Sequence, residues 1–316
     1  MLAAELNRSR KLGVEYEMTF PLVGSGSGRD VQQALARVLS ANGLNAVVRG
    51  YSHEPLPVGA DLAVEYDTSV QGESRYAGIT WHPVELKTRI IDYNEWEAIV
   101  PKALEICSYM GGRVNKSCGH HIHVSLDEVH QRSQGPKVIR SLYNLVHRFE
   151  PVIYGLVSQS RRNSFGYSSP LPNYPRMFHG CGGIRSYREI LSGFERRFGL
   201  NLTHVLKESP HVEFRYHQGT LDVEKARHWL RFCLQLTQHA VTRNCAAAEK
   251  QTCNDRKGFD ALRYTIGLKT NAGIYSKISD ELKETGKYLL RRWNAFNTQS
   301  SETSGNDQGD NENGGQ

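Results

Sequence analysis

Val14-Glu-Tyr-Glu-Met-Thr-Phe20 sets apolar Val14, Tyr16, Met18 and Phe20 in alternation with polar Glu15, Glu17 and Thr19. Alternation with period two marks a half-buried β-strand, one side-chain set in the core and the other on the opposite face. The pattern returns three times downstream. In Trp81-His-Pro-Val-Glu-Leu-Lys87, Glu85 and Lys87 lie opposite Val84 and Leu86. In Gly119-His-His-Ile-His-Val-Ser125, His121, His123 and Ser125 share a face, while His120 turns away with Ile122. In His211-Val-Glu-Phe-Arg-Tyr-His217 the polar face is His211, Glu213, Arg215 and His217, backed by Val212, Phe214 and Tyr216.

Helical spacing separates these strands. Val31, Leu35, Val38 and Leu39 predict a helix stopped by Asn42-Gly43. Residues 44–92 read as several strands with turns at Pro55/Pro57 and Gly78, and 94–110 as a helix bent at Pro101. Further helices are predicted over 136–158, over 222–248 behind Asp222, and over 278–296, with a long ordered loop at 159–184. Strands mixed with helices, without regular βαβ spacing, predict an α+β fold with a largely antiparallel sheet and flanking helices. No linker or repeat divides the chain, so residues 1–296 read as a single domain. Residues 297–316 hold four acids, no base and no apolar anchor, and predict a disordered acidic tail.

The 316 residues, 39% apolar and 23% charged, are ordinary globular material. No apolar run reaches the roughly 20 residues of a membrane span, and the first residues lack the pattern of a secretory leader. Six cysteines without a CxxC pair do not make a disulfide scaffold, which fits a reducing cytoplasm. The net charge is +6; with the tail set aside, 39 basic residues face 29 acidic ones and leave +10. A polyanion such as nucleic acid would suit that body, and so would a site for nucleotide phosphates. Charge alone does not choose.

If the four strands are neighbours, their polar faces merge into one floor. A face meant only for water is usually Lys, Thr, Ser and Glu in mixed order. Paired acids and paired histidines are instead ligands for hard cations, and Glu15-x-Glu17 can serve one divalent ion or two. Because carboxylates dominate and no cysteine joins the histidines, Mg²⁺ or Mn²⁺ is favoured over structural Zn²⁺. Mg²⁺ held by few carboxylates shares its shell with phosphates, which suggests a nucleotide. Arg215 could clamp a phosphate bidentately or pair with Glu213. Arg161 and Arg162 have a claim to phosphate or to an acidic substrate, and Asp67 and Ser69 to a site or merely a turn. Gly24-Ser-Gly-Ser-Gly28 lacks both GxGxxG and the Walker lysine and reads as a flexible connection. Cys118 has no evident base and reads as a packed residue.

Five segments in order, Gly13-Val-Glu-Tyr-Glu17, Asp67-Thr-Ser69, Val84-Glu-Leu-Lys-Thr88, Asn115-Lys-Ser-Cys-Gly-His-His-Ile-His-Val124 and Val212-Glu-Phe-Arg-Tyr-His-Gln-Gly-Thr-Leu-Asp222, resemble the amidoligase family. Its members are similar to glutamine synthetase and glutamate–cysteine ligase. The resemblance implies the glutamine-synthetase-like catalytic fold and an ATP- and Mg²⁺-dependent (or Mn²⁺-dependent) carboxylate–amine ligase, forming an amide or peptide bond through an acyl phosphate. It implies Glu15, Glu17, Glu85, His123 and Glu213 as metal ligands, and Arg215, Glu213 and His123 as catalytic residues. Arg161, Arg162, Arg215 and His121 would contact the nucleotide, since Arg161-Arg-Asn-Ser-Phe-Gly-Tyr167 resembles the family's basic loop. The substrates would be a small-molecule or peptide carboxylate and an amine. Two rivals remain: a Zn²⁺ hydrolase built on His121-x-His123, against which the carboxylates outnumber the imidazoles, and a nucleic-acid-binding protein. Against the latter, no basic run is interleaved with aromatics.

Overall fold

The computed structural model describes residues 2–22, 26–50, 52, 54–72, 79–131, 134–162, 166–172, 189, 191–245, 253–270 and 274–297. The turn expected at Gly78, Gly24 and Ser25 of the glycine-rich stretch, most of the loop expected at 159–184 and the tail from 298 onward lie outside these residues.

The alternating segments do form strands: β2 (Leu12–Leu22), β5 (Thr80–Thr88), β6 (Gly119–Ser125) and β8 (His211–Gln218). With β3 (Ala46–Val48), β4 (Leu62–Glu65) and β7 (Leu200–Asn201) they make a seven-stranded sheet in the order β3-β4-β5-β2-β6-β8-β7. Every pairing is antiparallel except β3 with β4. The expected α+β class with a largely antiparallel sheet is therefore what the chain adopts. A separate parallel pair joins β1 (Leu2–Ala4) to β9 (Tyr275–Ile278), close to the two ends of the described chain.

Six α-helices are described: α1 (Gly28–Ala41), α2 (Tyr93–Tyr109), α3 (Gly135–Tyr154), α4 (Val223–Thr242), α5 (Arg256–Thr265) and α6 (Asp280–Asn297). Capping boxes open α1 and α2: Ser27 with Asp30, and Asp92 with Glu95. Asp222 caps α4, accepting from Lys225 N at 3.0 Å. α2 runs through Pro101, and α3 and α4 are shorter than their apolar spacing predicts. α5, β1 and β9 were not expected. α6 extends through Asn297, whose Nδ2 donates to Gly155 O at 2.9 Å, one residue past the predicted domain end.

Val14, Tyr16, Met18, Val84, Leu86, Ile122, Val124, Val212 and Phe214 join the helices in one buried core. Among the described residues, no helix is long and apolar enough to cross a membrane. One break in the pairing moves a residue off the polar face. His120 faces His217 and Ile122 faces Phe214, so β8 spends three steps where β6 spends two. This bulge inverts the alternation. His217, expected beside Arg215, lies in the core, 5.5 Å from the His120 ring and 4.9 Å from Trp229. His120 faces the core as expected, stacked 4.4 Å from Tyr16.

Candidate active site

β2 is the central strand of the floor. Glu15 pairs across to Lys87 on one side and His121 on the other, and Glu17 pairs to Glu85. Glu85 in turn faces Glu65 of β4, and His123 faces Glu213 of β8. Directly opposed side chains on one face of a sheet stand about 5 Å apart at Cβ. Five acidic strand positions, Glu15, Glu17, Glu65, Glu85 and Glu213, thereby converge without any loop holding them.

The side chains interlock. His121 Nδ1 lies 3.1 Å from Glu15 Oε2, and its Nε2 lies 3.6 Å from Glu17 Oε1. His123 Nε2 lies 3.4 Å from Glu15 Oε1 and 3.9 Å from Glu213 Oε1. Glu17 Oε2 accepts from the Gly119 backbone N–H at 2.5 Å. A Cβ on Gly119 would sit 2.5 Å from His121 Nε2, so glycine is what lets the backbone come this close. Arg215 Nη1 donates to Glu213 Oε1, and Asn201 Nδ2 donates to Glu213 Oε2 at 2.7 Å. Asn201 is itself fixed by accepting from Thr203 N at 2.9 Å.

Burial opposes every charge here, and neighbours decide the outcome. Burial would raise the Glu15 carboxyl, but His123, with His121 and Lys87, holds it well below the usual range. Glu213 is likewise brought down to about 2, because Arg215, His123 and His121 outweigh burial. Glu85 goes the other way: burial and the charge of Glu15 raise it although Lys87 opposes them. Burial lowers His123, yet Glu15 and Glu213 more than reverse this and leave it raised. The Cys118 thiol is pushed up to about 11 by burial, which suits a packed residue and not a nucleophile.

Three sets of donor atoms lie within 4.8 Å of one another: Glu15/Glu85/His121, Glu15/His123/Glu213 and Glu17/Asp67/Glu85. Glu15 and Glu85 each serve two sets. The residues fit divalent cations on their chemistry. The sets are mostly carboxylate, and the buried Nε2 atoms of His121 and His123 have no hydrogen-bond partner among the described residues. The two imidazoles fall in different sets, so the His-x-His pair does not converge on one ion in any of them. Asp67, whose Oδ1 also accepts from Ser69 N at 2.6 Å, is both turn and candidate ligand. The sequence pattern missed Glu65 and Asn201. Glu65 lies in the wholly buried Leu62-Ala-Val-Glu65, and Asn201 in a strand of two residues, too short to show a period.

The adjacent arginines part company. Arg161 is 1% exposed; its Nη2 donates to Ser117 O at 3.0 Å, and its guanidinium lies 4.7 Å from the Tyr167 ring centre. It is near enough to Glu17 and Arg215 to feel both charges. Arg162 instead donates to Val157 O at 3.1 Å and Phe296 O at 3.4 Å, which places its guanidinium with the end of α6 and not with the carboxylates. At the far end of the floor His211 donates from Nδ1 to Ser209 O at 2.9 Å, and its ring stacks on His204 at 4.6 Å.

Residues 8–237 match the family model described as "Putative amidoligase enzyme". The chain belongs to this family. All nine expected site residues fall inside the matched span. The amidoligase chain is also similar to a solved complex between the prokaryotic ubiquitin-like protein Pup and its ligase PafA, at 12% identity and a TM-score of 0.42. That likeness covers 94% of this chain and 66% of the other. No curated protein matches the amidoligase chain.

Proposed function

We propose that the chain joins a carboxylate to an amine at the expense of ATP, through an acyl phosphate, with divalent cations on the floor. One observation carries this reading. Adjoining carboxylate-rich sets share Glu15 and Glu85, and beside them Arg161 and Arg215 each keep a buried Nε without a hydrogen-bond partner among the described residues. Cation sets next to unspent guanidinium donors suit a polyphosphate and a transferring phosphoryl group.

Glu15, Glu17, Glu85, His123 and Glu213, with Asp67, would hold Mg²⁺ or Mn²⁺. Bound there, such ions neutralise phosphate oxygens and polarise the reacting phosphoryl group. Arg215 and Arg161 stabilise the charge moving through it, with His121 at the same end. A substrate carboxylate oxygen attacks the γ-phosphorus, the bond to the bridging oxygen breaks, and ADP leaves. The amine then adds to the acyl carbon, phosphate departs and the nitrogen gives up a proton. The protein needs no nucleophile of its own, which agrees with the buried Cys118 thiol. The substrates of this reading are a small-molecule or peptide carboxylate and an amine.

Hydroxylamine offered with ATP, Mg²⁺ and pools of amino acids or peptides should yield a hydroxamate and inorganic phosphate. Release of AMP and pyrophosphate would replace this mechanism by adenylation. Absence of nucleotide consumption under every pool would overturn the reading.

A further inference from the structure

Lys87 is a floor residue that the proposed chemistry does not use. β5 sets it directly across from Glu15 and two residues from Glu85, on the polar face. Its Nζ lies 2.8 Å from Glu85 Oε2, 3.1 Å from Glu65 Oε2 and 3.8 Å from Glu15 Oε1. Three carboxylates from three strands thus converge on one ammonium. Glu15 and Glu85 are the same groups that, with His121, form a cation-competent set, and each serves a second set as well. Glu65 is fully buried, and its remaining oxygen, Oε1, is held by Arg49 Nε at 3.0 Å. No part of this resembles an exposed ion pair: the Lys87 side chain is 12% exposed.

Given a divalent-cation floor, on which this rests, we propose that Lys87 is a resident cation. Its ammonium fills one cation position among Glu15, Glu65 and Glu85 and so fixes how many divalent ions the centre takes up. Oxygen atoms from several carboxylates around a single positive charge are what a hard cation demands, and an ammonium meets that demand without exchanging with solvent. Removing it leaves buried carboxylates uncompensated, a state that is relieved by taking up another ion. A lysine that merely braced the sheet would cost stability on removal and would not change the ion count.

The test titrates Mn²⁺ into the nucleotide-free full chain, with calorimetry and the loss of free-Mn²⁺ resonance signal giving ions bound per chain. Lys87→Met is expected to bind about one more Mn²⁺ than the wild type. Its melting temperature, depressed in chelator, should recover on Mn²⁺ addition by more than the wild type gains. Lys87→Arg keeps the charge and should keep the wild-type count. Equal counts in Lys87→Met and wild type overturn the assignment of Lys87 alone, whereas a wild type that binds no Mn²⁺ overturns the cation floor with it. Should Lys87→Met fail to fold, Lys87→Gln, whose amide still donates to a carboxylate, is judged by the same count.

Discussion

Arg215 gives one nitrogen to Glu213 and keeps its Nε without a partner among the described residues, so its fork is half engaged. A planar fork can meet two phosphoryl oxygens, and an ammonium cannot. Arg215→Lys should therefore cost roughly 10²- to 10³-fold in ATP-dependent hydroxamate formation, with little change in melting temperature. Unaltered kinetics would make Arg215 only the ion-pair partner of Glu213. Glu15→Gln should weaken Mn²⁺ binding more than Glu213→Gln, because Glu15 serves two donor sets and Glu213 one; calorimetry on the two variants compares them directly. At this scale Glu15, Glu17, Glu85 and Glu213 were legible because strand alternation assigns a face without knowledge of the sheet. Arg161 and Arg162 were not separable, since neighbours at the end of a short 3-10 turn point apart and sequence gives no period there. Asp67 was readable as a turn residue, and only the arrival of β4 beside β5 brings it to Glu17 and Glu85.

Among elements, α4 carries two buried histidines. His228 is lowered to about 4 by burial, with Arg231, Arg227 and Arg291 adding to the effect. His239 is lowered to about 4 by burial and by Arg243. Each ring Nδ1 holds a neutral partner, Thr285 Oγ1 at 3.0 Å and Tyr275 OH at 3.1 Å, while His228 Nε2 lies 3.7 Å from Glu224 Oε1. An unfolded histidine titrates near 6.5. The folded chain thus binds fewer protons below that point, and stability present above about pH 6.5 is lost as pH falls toward about 4. Each group contributes at most about 1.4 kcal/mol per pH unit in that window. Replacing both by Gln should lessen the fall of melting temperature between pH 6.5 and 4, read by calorimetric scans in matched buffers. Element boundaries were the weaker part of the sequence reading. Apolar spacing in 136–158 and 222–248 runs beyond the helices because tertiary contacts and caps end them. The three-residue β1 and four-residue β9 have no period to betray them, and their partner lies at the other end of the chain. The bulge in β8 moved His217 for a related reason: alternation counts residues, and a bulge adds one.

For the molecule as a whole, crowding of carboxylates on one face predicts that a divalent ion stabilises the fold by mass action. Mn²⁺ or Mg²⁺ at a hundred times its dissociation constant should add about 2.7 kcal/mol, and sodium at equal ionic strength should not. Thermal melts with and without chelator measure it; identical curves would speak against a loaded floor. The fold class was open to sequence reasoning because four strands announce themselves, whereas their order was not, because neighbours in the sheet are distant in the chain. That order governs how the protein comes into being. Ligand candidates are strung from residue 15 to residue 213, and the strand that carries the first pair, β2, lies between β5 and β6, which are made later. On the ribosome, Glu15 and Glu17 wait for β8 (His211–Gln218) to be made, since such distant pairings form slowly and late. A chain that has not reached β8 lacks Glu213, so a full set of ligands marks the moment the sheet has closed around β2.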